Sequence, residues 1–574
     1  MNVRAEVVGG RIHISASYLL KDQLKGLPGS RWNPEAKRWT IPSTPIAAME
    51  LVHMTEKEGL AFSFDNGFAE LVSQARKLSE VRKLRGKDDL PDIPVTRFPA
   101  WNHQRQAFWF SEPQPAVMLN MDMATGKTKV VIDLILNRGH KRVLVVGPTH
   151  VIADTWPREI AKHTPEGREI RFAQLARGVT RNGNPKQIPV SSKKKMAEAL
   201  LRYAGPCGDP ALVLINYESV WRDPFAKWAL SQRWDLVVLD EIHKVKSPGG
   251  KASRFVAKLG EKVPYRLGLT GTVMPHSPMD VYGQFRFLDP SIFGTSFTGF
   301  RSRYAVMGGF GGYEIKGYQD QEDFRRRLMS ITYQVGAEVL DLPPVQHIER
   351  NFYLEPAARM RYQEMEDNFW TQVEAGEVTA SNALTRLLRL QQITSGFIMD
   401  DDGELREVSS AKEDLLYEVL DSLQPGEPVV IFTRFKQDIV VIRRVCERLA
   451  REVPKEDRDL RMKNEGRGFW SVAELSGARS DLAAWTDGHY DILAAQIQSG
   501  GVGIDLTRSR YCIYFSLGFS LGDYEQSLAR VNRPTQKRPV VYIHLVAVNT
   551  VDEKVYSALR KKKAVIESIL SAGQ

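Results

Sequence analysis

The sequence predicts an α/β protein: two parallel-sheet lobes with a helical insertion between them, preceded by a small α+β unit. Three observations predict it. First, short runs apolar along their whole length recur between helix-length segments: VLVV (143–146), LVLI (212–215), LVVL (236–239), VVIF (429–432), YCIYF (511–515) and VVYIHLVAV (540–548). Strands apolar on both faces belong to parallel sheets covered by helices. Second, these runs fall into two clusters, parted by a long stretch rich in aromatics, Arg and Gly. Third, the chain opens differently, with the strand-like EVVGGRIHIS, a helix-like YLLKDQLKGL and a polar turn between two tryptophans in RWNPEAKRWTIP.

In chain order, residues 1–60 form the α+β unit. A connector follows at 61–95, where a charged helical pattern gives way to the prolines of DDLPDIPVTRFP, which stop any helix. Residues 96–290 form the first lobe, 291–410 the insertion or hinge, and 411–574 the second lobe. Two charge clusters stand out, SSKKK at 191–195 and a loop-like REVPKEDRDLRMKNEGRGF at 451–469.

With 574 residues the chain has room for three or four domains at about 150 residues each. Its formal net charge of +10 favours a polyanionic partner. Cys207, Cys446 and Cys512 lie far apart, with no second Cys or His at metal spacing. That excludes a disulfide framework and a zinc ribbon and points to an intracellular, cytoplasmic protein. No apolar run approaches the roughly 18 residues that span a bilayer, and MNVRAEVVGG lacks the apolar core and cleavage site of a signal peptide. A soluble protein without a membrane partner is expected.

Two motifs carry chemistry. In VMLNMDMATGKTKVVIDLIL an apolar segment ends, a small-residue turn follows and a helix starts at Lys127. Backbone N–H groups at such a helix start hold phosphate oxygens, with Lys127 on the β/γ-phosphates and the Thr128 hydroxyl on Mg²⁺. Met121 stands where the first glycine of a phosphate loop belongs, and Ala124 replaces a further glycine. Downstream, RWDLVVLDEIHKVKS puts Asp240 and Glu241 at the C-terminal end of an apolar strand, where open α/β sheets bind ligands. Two adjacent acids there suit a division of labour: Asp240 for Mg²⁺, Glu241 to polarise the attacking water. ATP and Mg²⁺ are the expected cofactors.

In this order, and from about Phe98 to Tyr556, the motifs closely resemble those of the superfamily 2 helicases, and among them the Swi/Snf-type double-stranded DNA translocases, built on two RecA-like lobes. NHQRQAF is similar to the segment whose glutamine, here Gln104, reads adenine. VVGPTHVIADTWPREI resembles the segment with a Pro and a Trp that lines the DNA path, and LINYESV the one after it. DEIH matches the Asp-Glu-x-His box, and LTGTVMPHSPMDVYGQFRFLDPSIFG the Thr-Gly-Thr segment. EVLDLPPVQ, IFTRF, QIQSGGVGIDLT and DYEQSLARVNRPTQ resemble the second-lobe motifs.

The resemblance implies nucleotide contacts at Thr125, Gly126, Lys129, Gly503 and Asp505. It implies DNA contacts at Thr149, His150, Asn216, Tyr217, Thr433, Arg434, Ser499, Gly500 and Gly501, with Thr270, Gly271 and Thr272 linking phosphate state to the DNA-facing loops. Arg530 and Arg533 fall on the family's arginine fingers; three residues apart, they are expected on one helix face. Phe519 stands where many relatives have Trp. At the amino end, LLKDQLKGLPGSRWNPEAKRWTIP is similar to the HARP (HepA-related) domain of annealing-helicase-type translocases. Trp32 and Trp39, among Lys21, Lys25, Arg31, Lys37 and Arg38, make an aromatic and basic mixture suited to stacking on a base or a duplex end.

The expected activity is therefore an ATP-driven, monomeric double-stranded DNA translocase that remodels forked or branched DNA by fork regression, strand annealing or branch migration. Nucleoid- or viral-replication-associated work beside replication or single-strand-binding proteins is the expected setting. A strand-separating DNA or RNA helicase shares the ATPase motifs. A nucleotide-gated DNA-binding scaffold is the non-enzymatic alternative.

Overall fold

The computed structural model describes residues 2–82, 87–179, 185–203, 209–308, 314–374, 380–399, 404–498 and 504–571. They fall into two compact units, Met1–Val339 with Ile566–Gln574, and Leu340–Val565. Cys446 and Cys512 are buried free thiols; Cys207 lies outside the described residues. Among those residues no helix is long and apolar enough to cross a membrane.

The chain begins with a five-stranded sheet: β1 (Asn2–Val8), β2 (Arg11–Ser15), β3 (Arg31–Asn33), β4 (Arg38–Pro42) and β5 (Ala61–Phe64), in the order β3-β4-β2-β1-β5. The first hairpin turns through Gly9 and Gly10, at φ 57° and 76°, the left-handed pair that a two-residue turn between twisted strands requires. Val3, Ala5, Ile12 and Ile14 alternate onto one face. Leu51 of helix Pro45–Lys57 and Phe68 of helix Asn66–Arg82 close over them.

The domain boundary is thus later than the sequence predicts. Residues 61–82 are not a connector: β5 pairs parallel with β1. Asp65 then caps the next helix, accepting from Phe68 N at 2.8 Å and from Val7 N at 3.0 Å. The charged surface of that helix hides the apolar face that seats it.

The first lobe is a seven-stranded sheet: β6 (Ala116–Met121), β7 (Arg142–Gly147), β8 (Arg171–Gln174), β9 (Ala211–Asn216), β10 (Leu236–Asp240), β11 (Tyr265–Thr270) and β12 (Thr332–Val335), ordered β12-β6-β11-β10-β7-β9-β8. Every pairing is parallel, so all C-terminal strand ends share one edge. In the second unit, β13 (Val345–Phe352), β14 (Val429–Thr433), β15 (Val472–Leu475), β16 (Ile492–Gln496), β17 (Tyr511–Tyr514) and β18 (Val540–Ala547) form a second parallel sheet, ordered β13-β18-β17-β14-β16-β15.

This corrects the insertion expected at 291–410. β12 completes the first sheet beside β6, and β13 opens the second beside β18. Both escape a search for apolar runs: β12 reads TYQV, and β13 is an edge strand exposed along most of its length. The charged tract at 451–469 is also not a loop. It contains helix Lys455–Glu465, which starts after Pro454 and stops at Gly466 with φ 68°, the left-handed glycine that ends helices.

The amino-terminal sheet is fastened to the first lobe by charge. Glu50 is buried and receives both Arg326 and the buried Arg327. Arg327 also donates to Ile292 O at 2.9 Å, and Asp323 accepts from Arg326 at 2.7 Å and from the Tyr304 hydroxyl at 2.6 Å. Burial pushes Glu50 up, but the hydrogen bond from Arg326 and the two guanidinium charges outweigh it and hold the carboxyl below its ordinary value. Thr44 Oγ1 donates to Ser291 Oγ at 2.9 Å alongside. Truncation to Glu50→Ala removes one carboxylate from this cluster. Because Asp323 still holds the arginines, the expected cost is about 2–3 kcal/mol, under the about 3–5 of a fully broken buried pair. Denaturant titration should show the loss, with faster proteolysis between the amino-terminal sheet and the lobe.

Candidate nucleotide site and nucleic-acid edge

The phosphate loop lies between β6 and helix Lys127–Asn137. Met121 is the last residue of β6 and fully buried, so the side chain that departs from the loop pattern belongs to the core and leaves the loop itself clear. Ala124 sits at φ 65° and Gly126 at φ 87°. The first is strained, by about 1–2 kcal/mol for a residue with a Cβ.

Thr125, fully buried, donates through Oγ1 to Asp122 O at 2.6 Å. The Lys127 ammonium donates to Met121 O at 2.7 Å and Asp122 O at 3.1 Å. Thr128 follows in the first turn of the helix, whose leading N–H groups have no partner within the helix.

Gln104 reaches this loop from helix Asn102–Ser111. Its Nε2 donates to Thr125 O at 3.0 Å, and its Oε1 accepts from Trp101 N at 3.1 Å. At Gly126 the positive φ would strain any side chain, and a Cβ would come within 2.2 Å of Gln104 Nε2, so a substitution would also have to move that amide. Lys129 departs from expectation. It is buried, 2.6 Å from Asp133 Oδ2 and 3.0 Å from Thr96 Oγ1, one helical turn from its acid partner and turned away from the loop.

At the end of β10 the Asp240 carboxylate is held on both oxygens, by Trp156 Nε1 at 2.9 Å and by Glu241 N at 2.9 Å. Burial, then the charge of Glu241, push its pKa up to about 6 against the opposing Trp156 and Lys127. Glu241 is buried at φ 52°, the kind of backbone strain that gathers at functional sites. Its Oε2 lies 3.3 Å from His243 Nδ1, which is 3.2 Å from Thr270 Oγ1. The Thr270 hydroxyl donates to Thr272 O at 3.1 Å and accepts from Thr272 N at 3.0 Å. His243 Nδ1 thus lies within reach of both the Glu241 carboxylate and the Thr270 hydroxyl. Gly271 rests against the phosphate loop, where a Cβ would be 3.5 Å from Met121 O.

Two aromatic residues assigned to the DNA path are instead internal supports. Trp156 is fully buried beneath Asp240. Tyr217 is buried with its hydroxyl donating to Asp240 O at 2.9 Å. Thr149 and His150 follow β7 and are half-buried, and Asn216 ends the adjacent β9, its Nδ2 donating to Thr149 Oγ1 at 3.3 Å and Glu218 Oε2 at 2.7 Å. Residue-type patterns named His243 only as part of a box and gave no sign that Trp156 and Tyr217 face inward; the apolar residues around both were the available signal.

In the second unit Thr433 is buried at the end of β14. Arg434 donates to Gln391 Oε1, and its own N–H donates to Ser516 Oγ at 2.7 Å. Asp505 is exposed and accepts from Thr507 N at 2.9 Å and Thr507 Oγ1 at 2.6 Å, a local turn. Arg530 is buried on helix Leu521–Val531. Arg533 is not on that helix: Pro534 disfavours helical backbone at the residue before it, and Arg533 folds back to donate from Nε to Ala529 O at 2.9 Å. The expected shared helix face is thereby corrected. Ser499, Gly500, Gly501 and Gly503 lie outside the described residues. At the amino end Trp32 is 51 % exposed, while Trp39, edge-on to it with ring centroids 5.6 Å apart, packs on the core.

A family profile described as "SNF2-related domain" matches residues 51–396. "Putative protein p41" of Acyrthosiphon pisum secondary endosymbiont phage 1 is 27 % identical over 478 residues, covering 78 % of this chain and 93 % of that protein. An uncharacterized ATP-dependent helicase of Mycoplasma genitalium is 22 % identical over 461 residues (78 % of this chain, 40 % of that protein). A chromodomain-helicase-DNA-binding protein 1-like of Danio rerio is 24 % identical over 486 residues (80 % and 42 %). The chain thus spans about two fifths of the length of these last two. Among solved structures, a Sulfolobus solfataricus SWI2/SNF2 ATPase core in complex with dsDNA is 22 % identical with TM-score 0.36, covering 84 % of this chain and 96 % of that one.

Restoring glycine as Ala124→Gly relieves left-handed strain but frees the unfolded chain. The two effects leave the variant between neutral and about 1 kcal/mol more stable, where an ordinary Ala→Gly loses that much; thermal unfolding reads the sign. Burial and the Glu241 charge raise the Asp240 pKa to about 6, so if this carboxylate serves ATP turnover, kcat/KM for ATP should fall on the acid side at a higher pH than an ordinary aspartate allows. An unshifted aspartate would place that limb near about pH 4.

Proposed function

The chain belongs to the SNF2-related domain family, and on that premise we propose that this DNA-dependent ATPase is a double-stranded DNA translocase that remodels forked or branched DNA by fork regression, strand annealing or branch migration. One observation carries the reading: Lys127, Asp240, Glu241, Thr270 and Asn216 all stand at the C-terminal edge of a single parallel sheet. A continuous contact path runs from the acid that would address the γ-phosphate, Glu241, through His243 to Thr270 and Thr272.

In this reading the Lys127 ammonium exchanges its two loop carbonyls for phosphate oxygens, and Gln104, anchored on Thr125, presents its remaining amide proton to adenine. Thr128 and Asp240 offer hard oxygen donors that fit Mg²⁺, which typically takes one or two protein oxygens beside phosphates. When bound, the ion would neutralise charge on the transferring phosphoryl group. Glu241 orients the attacking water, and Arg530 and Arg533 keep the role of arginine fingers that the family resemblance gives them. Thr149, His150 and Asn216, with Thr433, Arg434 and the glycine motif at 499–501, follow the duplex backbone. The HARP-like amino-terminal sheet adds the half-exposed Trp32 among Arg31, Lys37 and Arg38 as a stacking platform for a fork junction. The protein is read as a monomer, and a viral replication setting fits the similarity to a phage protein.

Steady-state ATPase with single-stranded DNA, blunt duplex, forked duplex and RNA, at one fixed salt concentration, decides between the readings. Blunt and forked duplex should stimulate most, Lys127→Ala should abolish turnover with every ligand, and Trp32→Ala should weaken the response to forks alone, about fivefold or more for one lost stacking contact. Stimulation by single strands or RNA but not by duplex sinks the translocase reading.

A further inference from the structure

Helix Val190–Tyr203 carries the lysine cluster 193–195, and the structure treats its members differently. Lys195 is exposed and Lys194 pairs with Glu198 at 3.3 Å. Lys193 is buried, 3 % exposed, with no acid at ion-pair distance in the described structure. Its ammonium donates to Asn216 Oδ1 at 3.1 Å and to Ser219 Oγ at 2.7 Å.

An ammonium has donors and no acceptor. It therefore dictates which way the Asn216 amide faces: the oxygen toward Lys193, the NH₂ toward Thr149 Oγ1 and Glu218 Oε2. Asn216 ends β9 and pairs in register with Gly147 at the end of β7, two residues before Thr149. One buried cation thus ties together the two neighbouring strand ends. Burial lowers the Lys193 pKa to about 8, with Glu218 opposing and Arg222 adding to the shift, so the group is still an ammonium at neutral pH.

We propose that Lys193 is a positioning residue for DNA: it fixes the Asn216 amide, and through it Thr149, so that the β7 and β9 ends present one rigid polar edge to the duplex backbone. Buried itself, Lys193 touches neither DNA nor nucleotide. The inference rests on the reading that Thr149 and Asn216 face DNA.

The test is Lys193→Met, which keeps the stem and removes the donors, with full-length protein and blunt duplex as the probe. DNA-free turnover and turnover at saturating duplex should stay within about twofold, while the half-activating duplex concentration rises about tenfold, the scale of one lost charge-assisted hydrogen bond. Lys193→Arg should bring that concentration most of the way back. Thr149→Val should add little in the Lys193→Met background, since residues acting through one network are not additive.

An unchanged half-activating concentration, or an equal fall in DNA-free and stimulated turnover, overturns the proposal; the latter would make Lys193 a fold anchor. Should Lys193→Met not fold, Ser219→Ala removes one of the two acceptors that steer the ammonium and should give the same split at about threefold; no split there overturns the proposal equally. Absence of duplex stimulation in the unsubstituted protein defeats the translocase reading, whereas normal stimulation with an unaffected variant defeats only the role of Lys193.

Discussion

Asp240, buried at the end of β10, is the point on which supports from two neighbouring crossovers converge. A parallel sheet delivers every strand end to one edge, but direction alone does not orient a side chain. Here the crossovers that follow the two neighbouring strands on one side each contribute a support: Trp156 after β7 to a carboxylate oxygen, and Tyr217 after β9 to the main-chain carbonyl. The strand order β10-β7-β9 is what lets both reach one residue. Burial makes the charged form of Asp240 costly, and Glu241 beside it adds to the cost. A buried carboxylate made costly in this way gains more from a neighbouring positive charge than one already well satisfied by solvent.

The same use of buried charge recurs away from the site. Lys129 with Asp133, Glu50 with Arg327, and Lys412 with Asp552 are ion pairs whose members are at most about one-tenth exposed. Such pairs add little net stability over apolar replacements but are specific in geometry. In the Glu50 cluster the specificity is positional. An amino-terminal sheet joined to a lobe only by a linker would sample many orientations, whereas bidentate guanidinium contacts to a buried carboxylate select one. The Glu50 cluster thereby sets the position of the amino-terminal sheet, and of the half-exposed Trp32 on it, relative to the lobe.

How much of this was legible in the sequence follows from how each feature is encoded. The central strands and the Asp-Glu strand end were legible because burial on both faces forces continuous apolar runs. The lobe boundary was not, because β12 and β13 carry polar residues; their strand character comes from pairing with β6 and β18, which lie far away in sequence. Arg533 could have been placed correctly from Pro534 alone. Tyr217 and Lys129 show a different failure: a motif position predicts nearness to the site, and both are near it, but which way a side chain turns is decided by partners such as Asp133 and the Asp240 carbonyl that no local pattern contains. The lysine run at 193–195 is the extreme case, since three identical residues have three different surroundings.

Strain marks the site independently of motif. Among the described residues only a few non-glycine residues hold positive φ, and two of them, Ala124 and Glu241, flank the place where phosphates would lie. Left-handed residues at 124 and 126 give the loop the backbone alternation from which anion-binding nests are built. A Cβ at 124 therefore does not change the loop's path; it raises the energy of the same path. The opposite holds at 126, where a Cβ would collide with Gln104 and displace the link between the loop and helix Asn102–Ser111. The two positions separate a modest conformational cost at 124 from the loss of a contact at 126, the one that fixes the loop beside helix Asn102–Ser111.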